Sequence, residues 1–99
     1  MEAVSGNFFE DVVIKGLRAN SLVRINFLAD QVRVMYCDGR EEIFPKLELD
    51  LNQTKIFAAA LKDNKSLLDM IAPKLIDGDK AKFIAEALKI NKTLVNINF

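Results

Sequence analysis

The sequence contains no histidine and no tryptophan, and it has a single cysteine, Cys37. Without histidine, the chain cannot build a zinc site on imidazole ligands or use an imidazole as a catalytic base. One cysteine cannot form an internal disulfide, which favours a reducing, cytoplasmic setting. Since no histidine can activate Cys37, we expect a structural cysteine rather than a nucleophile.

A surplus of charge of one sign is also missing. The 99 residues include 14 basic and 14 acidic side chains, so the formal net charge is zero, and no basic run is longer than a pair. Nucleic-acid-binding domains usually carry a basic surplus or patch, so we expect no nucleic-acid partner. No apolar run approaches the ~20 residues that span a bilayer, and the N-terminal segment has acids where a secretion signal is basic. We therefore predict no membrane association and a cytoplasmic location.

The chain is organised around an internal repeat. The segment 79–99, DKAKFIAEALKINKTLVNINF, aligns at an offset of 27 with the segment 52–72, NQTKIFAAALKDNKSLLDMIA. Each segment reads as a helix, a corner at Asn64 or Asn91, and a short strand. An offset that holds through all three parts is typical of repeat architectures, within a chain that is long enough for one domain.

Three amphipathic stretches predict three helices. The first follows Asn7 as N-cap and ends near Ala19, with Asn20 expected in the left-handed conformation just beyond it. The second follows Asn52 as N-cap, and the third follows the turn at 77–79. The apolar positions of the three helices are Phe9, Val13, Leu17, Ile56, Phe57, Ala60, Leu61, Phe83, Ile84, Ala87 and Leu88.

The stretch after the first helix predicts β structure. Ile25 and Phe27 alternate with polar residues, as in a half-buried strand. Asp38-Gly39 is a strong hairpin signal, and placing these two residues at the turn sets Val34 opposite Ile43. Residues 33–46 are therefore interpreted either as a hairpin inserted into the repeat or as two strands of the main sheet.

The repeated segments resemble leucine-rich repeats of the ribonuclease-inhibitor-like class, and tropomodulin-type actin-capping domains share a similar phrase. The resemblance implies an α/β fold, namely a short leucine-rich-repeat solenoid with helices on the convex side, parallel strands on the concave side and an inserted β-hairpin. It divides a single domain, 1–99, into a degenerate first unit (7–32), the hairpin (33–46), a second unit (47–75) and a third unit (76–99). It also implies an asparagine after each strand, where the first unit has Asp30. The matching positions of the third unit include Ile76, Ala81, Ile84, Ala85, Ala87, Leu88, Lys89, Asn91, Thr93 and Leu94.

The strand-lined face is the usual binding surface of such solenoids. We expect an apolar row across the units, with polar residues beside it, to dock a protein partner. The predicted protein-binding residues are Val23, Arg24, Asn26, Leu68, Asp69, Val95, Asn96 and Asn98.

Two other charged features have simpler interpretations. Lysines that recur at the repeat period favour a solvated helical face, although they could attract an acidic partner or phosphates; they are Lys55, Lys62, Lys82 and Lys89. The turn Asp77-Gly78-Asp79 lacks the further oxygen ligands of a calcium loop and reads as a helix start. We therefore predict no metal and no cofactor.

No catalytic constellation emerges from these residues, and carboxylate pairs such as Glu41-Glu42 fall in turns without an implied pocket. The predicted function is a non-enzymatic protein–protein interaction module that binds its partner through the strand-lined face. The alternative is a structural or assembly unit that oligomerises through its open terminal strand, Leu94 to Phe99.

Overall fold

The computed structural model describes residues 8–72 and 78–98, so residues 1–7, which include the predicted N-cap Asn7, residues 73–77 and Phe99 lie outside the described part. A π-helical segment (Phe9–Ile14) continues into α1 (Lys15–Arg18). The other elements, in chain order, are β1 (Leu22–Phe27), β2 (Gln31–Tyr36), β3 (Glu41–Pro45), α2 (Leu51–Asp63), β4 (Asp69–Ile71), α3 (Gly78–Ile90) and β5 (Asn96–Asn98). None of the described helices is long and apolar enough to cross a bilayer.

The five strands form one mixed sheet in the order β3-β2-β1-β4-β5. β1, β4 and β5 run parallel, while β2 pairs antiparallel with both β1 and β3. Parallel neighbours need a crossover connection, and α2 and α3 lie in the two crossovers. The predicted α/β class is confirmed.

The internal repeat is visible in the strand register. Asp69 pairs with Asn96, 27 positions later, and Arg24 pairs with Asp69, 45 positions later. The sequence alignment of the second and third units is therefore also the alignment of their parallel strands. The extra 18 positions between the first two units hold β2 and β3.

The core lies between one face of the sheet and the helices. Ile25 and Phe27 of β1 and Met70 of β4 are buried on this face. The ring of Phe27 meets the ring of Phe57 edge to face, at 5.5 Å between centroids. Most residues predicted to be buried are so, including Phe9, Val13, Leu17, Phe57, Ala60, Leu61, Ile84 and Ala87, while Ile56, Phe83 and Leu88 are half-buried.

The first helix ends in a Schellman motif. The N–H groups of Asn20 and Ser21 donate to the carbonyls of Leu17 and Gly16, at 3.2 and 3.0 Å. This pattern needs a left-handed residue just beyond the helix, and Asn20 has a φ of 56°. The predicted conformation of Asn20 is confirmed.

The second helix begins earlier than the sequence predicted. Asp50, not Asn52, is the N-cap, and the helix starts at Leu51. The Asp50 carboxylate accepts from the Gln53 N–H at 2.7 Å, while the Gln53 side chain accepts from the Asp50 N–H at 3.1 Å. This reciprocal capping box stabilises the earlier start, because a residue two positions further on could not close both bonds.

The predicted hairpin register is wrong by one residue. Val34 lies opposite Glu42 rather than Ile43, and Ile43 is 55% exposed. The loop has three residues because the Tyr36 N–H donates to the Arg40 carbonyl, with Gly39 at a φ of 94°. A three-residue loop that ends in a left-handed glycine is the next most common hairpin connection after the two-residue turn.

The hairpin is also part of the main sheet, which was the second of the two interpretations left open. β2 pairs along its length with β1. Because β2 starts at Gln31, the predicted boundary between residues 32 and 33 falls inside a strand. Asp30 is exposed in the tight connection from β1 to β2 rather than buried after a strand.

Candidate protein-binding face

The sheet has a second face, called here the outer face, that points away from the helices. Its residues alternate with the buried core residues along each strand, and all of them are half-buried or exposed. Strand register arranges them in two rows. The first row holds Met35, Arg24, Asp69 and Asn96, and the second holds Arg33, Asn26, Ile71 and Asn98.

The first row contains a fixed polar chain centred on Asp69. Its carboxylate accepts from an Arg24 guanidinium nitrogen at 3.4 Å on one oxygen and from the Asn96 amide at 2.6 Å on the other. The side chains of Arg24 and Asp69 remain 43% and 30% exposed. Three predicted site residues, one from each unit, are therefore joined and still accessible to a partner.

An apolar row runs beside this polar chain at the start of the strands. The Leu68 N–H donates to the Val23 carbonyl at 2.9 Å, and the Val95 N–H donates to the Leu68 carbonyl at 3.0 Å. Backbone bonds thus hold these three residues next to one another, as the repeat register predicted. Leu68 is 44% exposed and Val95 is 71% exposed, so the row presents apolar surface to solvent.

The second row lies in a shallow depression of about 190 Å³. Asn26, Ile71 and Asn98 line it together with the Arg24–Asp69–Asn96 chain. Next to it, Arg33 forms an ion pair with Glu41 at 3.1 Å. Both cations of the outer face are thus matched by a carboxylate, so this face has both signs of charge and little net charge.

The strands are held in register by three asparagines at the helix-to-strand corners. The Asn64 side-chain oxygen accepts from the N–H groups of Ser66 and Leu67, and its amide donates to the Leu17 carbonyl at 2.9 Å. The Asn64 amide also lies 3.3 Å from the side-chain oxygen of Asn20. The Asn64 corner is thereby closed on itself and tied to the unit before it.

Asn91 repeats this arrangement 27 residues later. Its oxygen accepts from the N–H groups of Thr93 and Leu94, at 2.9 and 2.8 Å. Its amide donates to the carbonyls of Leu61 and Asn64, at 2.8 and 3.0 Å. Sequence reasoning identified both residues as corners but missed this ladder; their recurrence at the repeat offset was the available signal.

The lysines predicted on the helical face are all exposed. The Lys55 ammonium lies 5.4 Å from the centre of the Phe83 ring, which links neighbouring helices by a cation–π contact. Cys37 is exposed, and its sulfur lies 3.5 Å from the Asn20 carbonyl. Asp77 lies outside the described residues, and within residues 8–72 and 78–98 no three His, Cys, Asp or Glu side chains are grouped as metal ligands.

Polar interactions around the hairpin are local. The Tyr36 hydroxyl donates to the Glu42 carboxylate, and the Arg40 guanidinium lies 4.5 Å from the centre of the Tyr36 ring. Burial, followed by the bond to Glu42, raises the pKa of Tyr36 to about 12, so this phenol is neutral at physiological pH. Hydrogen bonds from the Arg40 backbone and side chain lower the pKa of Asp38. These groups stabilise a turn and present no acid–base pair poised near neutral pH.

An apolar cavity of about 500 Å³ lies where β1 and β4 end. Phe27, Leu28, Leu47 and Ala72 are among its lining residues. The charged residues at its rim, Lys46 and Glu48, are paired with each other at 3.4 Å. The cavity therefore offers apolar contact without a converging set of reactive groups.

The site residues predicted from sequence thus converge on one exposed surface, which combines an apolar row with a fixed polar chain. Such a surface can make shape-complementary contacts and paired hydrogen bonds with another protein. Comparisons with protein-family models, with curated proteins and with solved structures gave no significant match to this chain.

Proposed function

We propose that this domain is a short leucine-rich-repeat-like solenoid that acts as a non-enzymatic protein-interaction module, with the outer face as its binding surface. The repeat interpretation is supported by strand partners that lie 27 and 45 positions apart, and by asparagine corners that recur with the units. In this interpretation the parallel strands would line the concave side.

The observation that carries the proposal is the pre-organised outer face. Asp69 already bonds to Arg24 and Asn96, which biases these side chains toward one arrangement and reduces the conformational freedom that they lose when a partner binds. The adjacent row of Val23, Leu68 and Val95 supplies apolar surface that becomes buried when a partner binds. Binding energy would come from the apolar row, and orientation from the polar chain.

The same features define the partner's chemistry. A matching protein surface should present one or two apolar side chains to Leu68 and Val95, with a hydrogen-bond donor and acceptor beside them. A strongly acidic or basic partner is disfavoured because the outer face pairs its own charges.

The proposal can be tested by affinity capture with matched variants. The wild-type chain, Leu68→Glu, the charge reversal Arg24→Glu with Asp69→Arg, and a helical-face control, Lys82→Glu, would each be immobilised and exposed to cell extract. A specific partner should be retained by the wild-type chain and by Lys82→Glu. Its dissociation constant should rise at least about tenfold for Leu68→Glu, since burying an unpaired charge costs more than 1.4 kcal/mol.

Circular dichroism and urea unfolding would establish that each variant is folded before capture. A partner that binds Leu68→Glu and the charge reversal with unchanged affinity, but loses affinity for Lys82→Glu, would place the binding surface on the helices and refute the proposal.

A further inference from the structure

The exposed side of α3, together with the edge of β5 that pairs with no strand among the described residues, forms a surface called here the open flank. Its residues are half-buried or exposed, whereas the residues 27 positions earlier are buried. Thr54, Ala58, Leu61, Leu67 and Met70 are buried, and their equivalents on the open flank are Ala81, Ala85, Leu88, Leu94 and Ile97.

The open flank reproduces the surface on which the third unit already stacks. α3 packs against α2, and Thr54, Ala58 and Leu61 of α2 are buried. The corresponding positions of α3 hold alanine, alanine and leucine. Of the five equivalent positions, three are identical, and the other two change threonine to alanine and methionine to isoleucine. A unit shaped like α3–β5 should therefore fit the open flank as it fits α2.

The backbone of the open flank is also prepared for a further unit. The Asn96 N–H and Asn98 carbonyl are bonded toward β4, so in a parallel ladder the N–H and carbonyl of Ile97 point to the free edge. The Asn91 amide uses the carbonyls of Leu61 and Asn64 in the preceding unit. The equivalent carbonyls of Leu88 and Asn91 receive no such side-chain amide from the described residues.

A second copy of this chain is a poor occupant in the same direction. The opposite end of the sheet is closed, because β2 and β3 cover β1. The outermost strand, β3, carries Glu41, Glu42 and Pro45, which are residues that discourage edge pairing. Parallel head-to-tail pairing of β5 with the β1 of another copy would therefore require the hairpin to leave.

We propose that the open flank binds a polypeptide that supplies one more helix–corner–strand unit, stacked in the same direction as α3–β5 and carrying asparagine at its corner. This surface is separate from the outer face, so the inference rests on the repeat geometry and not on the partner proposed above. The incoming strand would pair with Ile97, and the incoming asparagine would donate to the Leu88 and Asn91 carbonyls.

The test uses a defined probe, a second copy of residues 73–99 appended after Phe99, which continues the 27-residue period. Hydrogen exchange at the Ile97 amide is the readout, with the Met70 amide, already inside the sheet, as internal reference. We expect exchange at Ile97 to slow at least about tenfold, because a newly paired amide exchanges only through opening. Unchanged exchange at Ile97, or loss of the fold in the extended chain, would overturn the proposal.

Matched variants of the extended chain separate stacking from a general effect of length. Ala85→Glu, or alanine at the corner asparagine of the added copy, should return Ile97 exchange to its original rate. The solvent-face control Glu86→Lys should leave the slowing intact, because Glu86 and its equivalent Ala59 are both exposed. Sedimentation of the unextended chain tests whether a second copy of the chain occupies the open flank. A dimer that Ala85→Glu dissociates would show that two copies close this flank on each other, and would overturn the proposal in favour of a two-fold assembly.

Discussion

The second and third units are near copies in sequence but not in environment. Phe57 and Ile84, which point to the sheet, are buried in both units. Ala58 and Leu61 are buried, whereas Ala85 is exposed and Leu88 is half-buried. The burial of these two helix residues is therefore set within their own unit, while the burial of the flank residues is set by whether a neighbouring unit follows.

The corner asparagines show the same contrast. Asn64 and Asn91 each bond two N–H groups of their own corner and reach back to the preceding unit. Of these two asparagines, Asn64 alone is also used by a following unit within the described residues, since its carbonyl accepts from the Asn91 amide. In a repeat protein, stability is approximately the sum of unit terms and interface terms, so a central unit should tolerate damage less well than a flanking one.

The largest expected effect comes from the central corner. Asn64→Ala leaves the N–H groups of Ser66 and Leu67 without partners and leaves the Leu17 carbonyl with only the bond from the Asn20 N–H. This should cost about 4 kcal/mol of unfolding free energy, at ~1–3 kcal/mol for each of the two orphaned groups. Asn91→Ala should cost about half as much, because water can reach the less buried corner at Thr93 and Leu94. Urea unfolding of both variants measures the difference, and equal losses would contradict the contrast.

The flank leucines give the next largest effect. Leu61→Ala should lower the unfolding free energy by about 3 kcal/mol, since it opens a cavity in a fully buried site. Leu88→Ala should lower it by about 1 kcal/mol, because the side chain is only half-buried. If thermal and urea unfolding gave equal losses of unfolding free energy for the two variants, the open flank would be covered in solution. Were a second copy of the chain the cover, the cost of Leu88→Ala would also depend on protein concentration.

Gly16 extends the comparison to the first unit, where Asn20 corresponds to Asn64 and Gly16 to Ala60. A Cβ atom built on Gly16 would lie 2.7 Å from Cγ and 2.8 Å from Cδ1 of the fully buried Leu22. Gly16→Ala should therefore destabilise the protein by about 1–2 kcal/mol through overpacking, despite the better helix propensity of alanine.

Ala60→Gly is the matched control for this prediction. It should cost about 1 kcal/mol from helix propensity and about 1 kcal/mol more from the loss of a buried methyl group, since Ala60 is buried. If Gly16→Ala stabilised the protein, Leu22 would have to move aside. The close approach of Gly16 to Leu22 would then not require glycine.

Much of this arrangement followed from sequence because it depends on local periodicity. The helical stripes, the offset of 27 and the left-handed Asn20 each depend on spacing or on the conformational preference of one residue. The Asp50-to-Gln53 capping box is equally visible in the sequence, but the start of the aligned repeat favours Asn52 as the cap.

The remaining features depend on partners that are distant in the chain. The ladder joins Asn64 to Leu17 and Asn91 to Leu61, and a sequence cannot show which carbonyl faces an asparagine before the units are stacked. The hairpin register depends on whether Asp38-Gly39 lies in a two-residue or a three-residue loop, a choice of similar local energy. The candidate face was predicted as a set of positions, whereas the fixing of Arg24 and Asn96 by a shared Asp69 required the structure.

The smallest effect concerns the two contacts of Asp69. Its contact with Arg24 joins units one and two, and its contact with Asn96 joins units two and three. Arg24→Ala and Asn96→Ala should each change the unfolding free energy by no more than about 0.5 kcal/mol, because exposed polar pairs contribute little. The two should differ in salt dependence. Raising ionic strength to about 1 M, where the Debye length is about 3 Å, should remove the effect of Arg24→Ala and leave that of Asn96→Ala unchanged, since only the first contact joins two full charges. Double-mutant cycles with Asp69→Ala at low and high salt measure both couplings, and a coupling above about 1.5 kcal/mol for either pair would mean that the outer face stabilises the stack rather than standing ready for a partner.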